Sequence, residues 1–461
     1  MTAGADTAWE RFRDDVLAAM RDGEAEQLAR LTWSAERIQE EQHERLQTLL
    51  LHAAEHSPFH RRRLAGIDLA GVDTADLSAL PVMTKAQMMD ALDDVFTDRR
   101  LKRGDVESAL AATAAEPVPL LDGYIALASG GCSGRRGVFV LDRAAVASFT
   151  AAVARQPIGT VLASDAPRER PRIAFVTAAS AVHATGMVAA LTCGDDSPVR
   201  SHLVPATLPL GEIVNRLNVL QPPVLSGYAS MLVRLAAEAR TGHLWITPAQ
   251  VSSTSETLLP EMRSAIREAF GVPVFDGFGS TEGLVGKTGP DDDVLVFNTD
   301  LCIVELVDAD TRPVAPGVPS AKVLVTNLYN LTQPLIRYEL TDTFVRQPDA
   351  AEHGYLRARV QGRSDEVLHY DTVDIHPIVI RSVMVKTPQV VDYQVRQTRC
   401  GIHVFAVTTD GRHPNGLVDR LRQTLLDGGL HAADVTVQTV DRLDRHPVSG
   451  KLRRFVPLTA A

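Results

Sequence analysis

Apolar positions in the first part of the chain recur at helical spacing. Ile38, Leu46, Leu49 and Leu50 fall roughly on one face of a segment opening at Trp33-Ser34-Ala35-Glu36, so residues 8–56 read as a helical arm. Ser57-Pro58 ends it, because the residue before a proline is pushed out of the α region. A polar, Asp-rich stretch leads to Leu80-Pro81, and Thr84 is placed to cap a further helix. From about 120 to 340 the rhythm changes. Short apolar runs (Ile173-Ala174-Phe175-Val176, Val224-Leu225-Ser226-Gly227, Val272-Pro273-Val274-Phe275) alternate with helical patterns over Ala229–Arg240 and Pro260–Phe270. Such alternation predicts layered α/β sheets. Short strands dominate from 301 to 345, and the pattern breaks at Gly362-Arg363-Ser364-Asp365, leaving a small α+β tail of about 95 residues. The expected fold class is α/β: a large multi-sheet N-terminal domain over 1–361, with its helical arm at about 8–60, and a small α+β C-terminal domain over 367–461.

Length agrees with that division, since 461 residues exceed what one compact core accommodates. With 57 acidic against 47 basic side chains the formal charge is −10, which argues against a nucleic-acid or anionic-membrane binder. The four cysteines are far apart with no CxxC pair, so neither a disulfide framework nor a cysteine-rich zinc module is expected. The start, MTAGADTAWERFRDD, does not read as a signal peptide, and no stretch reaches the ~18 apolar residues of a membrane span. The expected location is cytoplasmic. Six Lys stand against forty-one Arg, which reads first as a codon bias toward Arg and only weakly as a sign that some of the remaining lysines stand where a compact ammonium is needed.

Candidate chemistry begins at Ser129-Gly130-Gly131-Cys132-Ser133-Gly134-Arg135-Arg136-Gly137, between two apolar runs. Glycines let backbone N–H groups approach an anion, and small hydroxyls add donors, so this loop is a candidate phosphate cradle. It is not a Walker loop, having no GK[ST] ending and a strand after it; taken alone it also suits a plain turn. Further on, the run Val274-Phe275-Asp276 leads into Gly277-Phe278-Gly279-Ser280-Thr281-Glu282-Gly283. A strand end carrying small residues, a hydroxyl and a carboxylate is where an α/β sheet presents ligand chemistry. Thr281 suits a phosphate, Glu282 suits Mg2+ as a hard oxygen-seeking cation, and Phe278 suits stacking on a base. A polar turn beside a core aromatic is the plainer alternative. Downstream, a carboxylate follows Tyr338-Glu339-Leu340-Thr341 at Asp342, then comes Gly362-Arg363-Ser364-Asp365-Glu366. His446-Pro447-Val448-Ser449-Gly450-Lys451-Leu452-Arg453-Arg454 sets one lysine on a Ser-Gly loop, or reads as a solvated basic tail.

The order of these pieces resembles the adenylate-forming (acyl-CoA synthetase) superfamily, and within it the phenylacetate–CoA ligase-like branch. Longer stretches carry the branch resemblance: EHSPFHRRRL at 55–64, LNVLQPPVLSGYASML at 217–232, PEMRSAIREAFGVPVFDGFGSTEG at 260–283, TNLYNLTQPLIRYELTD at 326–342 and QGRSDEVL at 361–368. The resemblance implies an adenylation domain joined through a hinge at 362–366 to a mobile C-terminal domain that rotates about Asp365. It implies ATP contacts from Ser129, Gly130, Gly131, Cys132, Ser133 and Gly134, and from the loop Asp276, Gly277, Phe278, Gly279 and Ser280, with the first three of these bordering the adenine. Thr281 would contact the α-phosphate, Glu282 the Mg2+, Asp342 and Arg363 the ribose. Lys451 matches the catalytic lysine that bridges the acid and the α-phosphate as charge develops.

The activity so implied has two steps: a small carboxylic acid and ATP give acyl-AMP and pyrophosphate, then a thiol, coenzyme A by expectation, displaces AMP. The alternatives are transfer to an amine or an acyl carrier protein, activation of an inorganic acid such as nitrite, and a degenerate nucleotide-binding protein. No zinc, nucleic acid or membrane partner is expected, and a homodimer is open. Departures from the branch pattern are the Cys132, Arg135 and Arg136 of the glycine-rich loop, Phe278 in place of a tyrosine, and Ser252-Ser253-Thr254-Ser255-Glu256 in place of a glycine-rich turn. Tyr124, Phe139, His183 and Tyr228 are candidates for an acyl pocket, though His183 in such a position also serves structure alone.

Overall fold

The structure, a computed structural model, describes residues 7–129, 137–162, 172–193, 200–350, 353–363, 366–375, 377–385, 387, 389–445 and 452–458, with the backbone alone for 156–162, 363, 378, 381, 382 and 385. Its arm opens with the helix Ala8–Asp22, held by a capping box in which Thr7 and Glu10 exchange side-chain and backbone hydrogen bonds. That helix buries Trp9, Phe12, Val16 and Leu17. The helix Ala35–His56 stops where the Ser57-Pro58 pair requires. The pair also restarts the chain: Pro58 takes the first turn of the helix Pro58–Arg63, and Ser57 Oγ accepts the His60 N–H at 3.3 Å. Thr84 caps Lys85–Asp90 in a second capping box, with Gln87.

The main sheet has nine strands. Five run parallel, in the order Arg200–Pro205, Arg172–Thr177, Val224–Gly227, Gln250–Thr254 and Val274–Gly279. Beyond the last, Val285–Thr288, Leu295–Phe297, Arg357–Arg363 and Asp342–Arg346 continue antiparallel. The helices Leu210–Leu220, Ala229–Arg240 and Pro260–Phe270 bury Ile213, Leu217, Leu232, Leu235 and Ile266 in one core with Leu225, Val251 and Val274 of the sheet. A ribbon of Tyr124–Ala128 and Val138–Asp142 packs into a second core with the arm. Cys302–Val307, Lys322–Asn327 and Tyr338–Leu340 form a third small sheet.

Residues 368–455 contribute a separate core, with Leu368, Val395, Val404, Leu421 and Phe455 at its centre. It is built from a four-stranded sheet and the helices Pro377–Val385 and Leu417–Asp427. One buried ionic knot ties the arm to the main body. Arg155 pairs both Nη atoms with Asp300 at 2.7 Å, while Arg30 reaches the same carboxylate at 3.1 Å and Glu41 at 2.9 Å. Among the described residues no helix is long and apolar enough to cross a membrane.

Candidate functional site

Parallel strands end together, and the chain leaves the sheet there through loops; a crevice at the carboxyl ends is the usual result. In this sheet the strand Val274–Gly279 delivers the turn Ser280-Thr281-Glu282-Gly283 to that edge. The turn is pinned at every corner. Ser280 N–H donates to the Leu284 carbonyl at 2.9 Å, Gly283 N–H donates back to the Ser280 carbonyl at 3.1 Å, and Asn327 Nδ2 donates to the Glu282 carbonyl at 2.9 Å. Gly283 stands at φ +107°, where any Cβ would strike the Asn327 amide and the Tyr329 hydroxyl. Thr281 is half-buried, while the Glu282 carboxylate is buried close enough to Tyr338 for its charge, after burial, to push that phenol's pKa up.

One stretch connects this turn to the glycine-rich loop. Asn327 Oδ1 accepts the N–H groups of Tyr329 and Asn330, so the residues after it fold into a tight bend. From that bend Asn330 Nδ2 donates to the Val140 carbonyl at 3.0 Å, and Gln333 brackets the same strand, donating to the Val138 carbonyl and accepting from Val140 N–H. The strand Val138–Asp142 follows the glycine-rich loop, whose base is closed by Ser129: its N–H donates to the Gly137 carbonyl at 2.9 Å and its Oγ accepts the Gly137 N–H at 2.8 Å. His60 extends the staple. It donates from Nε2 to the Pro334 carbonyl at 2.9 Å and accepts from Arg63 at Nδ1, so the ring is neutral.

Of the ribose pair, Asp342 is buried and sits directly opposite Arg363 across neighbouring strands. Asp276 lies on the strand that precedes the turn; burial, only partly offset by the Ser253 hydroxyl and Arg263, pushes its carboxyl up to about 6. Phe278 rests edge-on against Phe297 and Phe344, with centroids 5.6 and 5.3 Å away, and stays half-buried. His183 Nδ1 donates to the Ala128 carbonyl at 3.2 Å, which sets the ring beside the base of the glycine-rich loop. Phe139 is buried against Tyr338. The Tyr228 hydroxyl, also buried, accepts the Ala178 N–H at 2.9 Å. Tyr124 is committed elsewhere, donating to Asp98 at 2.9 Å. Gly130, Gly131, Cys132, Ser133, Gly134, Asp365 and Lys451 lie outside the described residues, as does the Arg363 side chain.

The sequence left three groups without an assigned role. Asn327, Asn330 and Gln333 were quoted only as part of a longer stretch, although side-chain amides that close together suit loop-to-strand bridging. Lys287 lies opposite Gly277 in the ladder and makes no hydrogen bond or ion pair with the described residues; burial brings its ammonium down to about 8. Its signal was the scarcity of lysine. Glu256 and Arg445 both bond Ser230, from 26 and 215 positions away, which no local pattern encodes.

No family model matches the chain. It is 25% identical to protein CapK of Staphylococcus aureus over 229 residues, 46% of this chain and 48% of that protein. It is 25% identical to a phenylacetate–coenzyme A ligase of Aromatoleum evansii over 166 residues, 33% of this chain and 38% of that enzyme. A phenylacetate–coenzyme A ligase of Thermus thermophilus is 26% identical over 386 residues, 80% of each chain. The match thus spans under half the length of the first two relatives and most of the third. Among solved structures, 2-hydroxyisobutyryl-CoA ligase in its postadenylation state with 2-HIB-AMP superposes with a TM-score of 0.66 at 18% identity, covering 99% of this chain and 94% of that one. The same ligase in its thioesterification state gives 0.54 at 19% identity, with the same coverages. The fold is that of the adenylate-forming ligases. Within that class, the sequence likeness is to the phenylacetate–CoA ligase-like branch.

Proposed function

We propose that the chain activates a small carboxylic acid with ATP, forming acyl-AMP and pyrophosphate, and then passes the acyl group to the thiol of coenzyme A. The observation that carries this reading is the stapled turn. A hydroxyl and a buried carboxylate at Thr281 and Glu282 are held rigidly at the carboxyl edge of the sheet, and one amide-rich bend holds the strand Val138–Asp142, which follows the glycine-rich loop in sequence, to the same frame. Transfer at phosphorus is mostly positioning and charge stabilisation, which such a preorganised frame supplies without reorganisation.

In this reading Thr281 hydrogen-bonds the α-phosphate, and Asp342 with Arg363 holds the ribose from neighbouring strands. Asp276, Gly277 and Phe278 form the wall along the adenine. The backbone N–H groups of 129–134 receive the outer phosphates. Lys451 supplies the mobile positive charge between the acid and the α-phosphate, a role for a point ammonium rather than a guanidinium fork. The donor chemistry at Glu282 fits Mg2+: one hard carboxylate beside a hydroxyl, with phosphate oxygens completing the shell, is how that ion is usually held. Bound there, it would neutralise phosphate charge. The acyl group would lie toward His183, Phe139 and Tyr228.

ATP–pyrophosphate exchange over a panel of aliphatic and aryl acids tests the first step, and thioester formation with coenzyme A the second. Lys451→Ala is expected to lower exchange roughly 10²–10³-fold while ATP binding and thiolysis of preformed acyl-AMP persist. Exchange that survives the substitution would remove Lys451 from the chemistry. Exchange without thioester formation would remove coenzyme A as the acceptor.

A further inference from the structure

At the carboxyl end of the strand Gln250–Thr254 the chain bends at Ser255 and Glu256. Ser255 stands at φ +64°, a left-handed conformation costly for a residue with a side chain, and Glu256 follows it. The Glu256 carboxylate divides its two oxygens between distant parts of the molecule. Oε2 accepts the Ser230 N–H at 3.0 Å, one of the first-turn donors of Ala229–Arg240, a helix with no capping side chain of its own. Oε1 accepts the backbone N–H of Leu452 at 2.9 Å. Ser230 makes a second connection, its Oγ accepting from Arg445 at 2.9 Å. The two residues flanking 446–451, one on each side, are therefore both held at a single point beside the sheet edge.

Charge explains why a carboxylate stands there. Arg445 and Arg454 approach from the C-terminal unit, and Arg234 lies on the helix below. Burial first, and then the charge of Arg445, holds the Arg234 guanidinium below its ordinary range, while Asp392, paired with Arg454 at 3.0 Å, and after it Glu256 raise Arg454 against its own burial. Glu256 adds to Asp392 a second carboxylate among these guanidinium groups, supplied from the large domain. An amide would not substitute fully, since it offers one acceptor and turns its NH2 toward the other N–H.

We propose that Glu256 is a positioning residue for the adenylation half-reaction. It latches the C-terminal unit to the sheet edge at Leu452, the residue directly after Lys451, and it must release before the second half-reaction. The proposal rests on the adenylation reading above. The closer superposition on the postadenylation state than on the thioesterification state of the same ligase agrees with a latched arrangement. A carboxylate that merely capped a helix would matter equally to both half-reactions; a latch matters to one.

The test separates the half-reactions in the full chain, using the acid that gives the fastest exchange in the unmodified protein and its synthetic acyl adenylate. Glu256→Ala is expected to lower the kcat of adenylation about tenfold or more, with the KM for ATP within about twofold, while thiolysis of the acyl adenylate is unchanged or faster. Glu256→Gln should fall between. In a Lys451→Ala background Glu256→Ala should add nothing, because both act through one group. Undiminished adenylation, thiolysis that falls in step with it, or effects that multiply in the double variant would each overturn the latch. If the unmodified protein exchanges with no acid, the adenylation reading fails, and the latch is still read by small-angle scattering of the unliganded chain. Glu256→Ala should then enlarge the radius of gyration, and an unchanged radius overturns it.

Discussion

His60 is wholly buried and neutral, with both ring nitrogens occupied. Burial first, then the neighbouring Arg63, pulls its pKa from 6.5 to about 3. In the unfolded chain the ring takes a proton once pH drops below about 6.5, whereas in the folded chain it resists until about 3. The unfolded state thus binds more protons in that window, and stability falls as pH falls through it. By pH 5 the loss attributable to this group is about 2 kcal/mol relative to pH 7.5. His60→Gln keeps a donor for the Pro334 carbonyl and does not titrate. Urea midpoints measured from pH 7.5 to 5 should therefore fall less steeply in the variant than in the parent, and parallel curves would contradict the assignment. Residues of this kind are hard to recognise beforehand. His60 stood in a quoted stretch, yet nothing within EHSPFHRRRL names Pro334 as its partner. Lys287 was visible only as one of six lysines, and its half-buried place opposite Gly277 is a property of strand register.

The turn at 280–283 shows an element fixed by its surroundings as much as by its own sequence. Glycine at 283 is required twice, by the positive φ and by the Asn327 amide and Tyr329 hydroxyl that occupy the space of a Cβ. Gly283→Ala is expected to cost about 2–4 kcal/mol, read as a lowered denaturation midpoint, and to raise the KM for ATP as Thr281 loses its fixed place. Helices with sharp punctuation were legible. Pro260–Phe270 and Ala229–Arg240 have the bounds their periodicity gives, because Pro260 opens one, Gly271 at φ +67° closes it, and both carry a continuous apolar stripe. The strands Val285–Thr288 and Leu295–Phe297 escaped notice. They are four and three residues long, too short for alternation to register. The candidate site divides similarly: motif order brought forward the Thr281–Glu282 turn, while the Glu256 junction with Leu452 arises only when the two units meet.

At the scale of the whole molecule, the ionic knot of Arg30, Arg155, Asp300 and Glu41 bears on integrity. Asp300 is fully buried; it pairs with Arg155 and shares Arg30 with Glu26 and Glu41. Asp300→Ala leaves two interior guanidinium groups without that carboxylate and is expected to cost about 3–5 kcal/mol in urea unfolding. A loss below about 1 kcal/mol would show that water or neighbouring groups supply the missing charge. The knot also bears on how the protein is made. Asp300 lies 270 residues after Arg30, so the arm emerges from a ribosome long before its anchor exists. At roughly 5–20 residues per second, that interval is on the order of tens of seconds. For the first part of it, until the helix Arg143–Leu162 has been made, the apolar side chains of Trp9, Phe12 and Val16 lack the helix they pack against. Synthesis rate and the supply of holding chaperones should therefore change the yield of folded protein, read as its soluble fraction at matched expression.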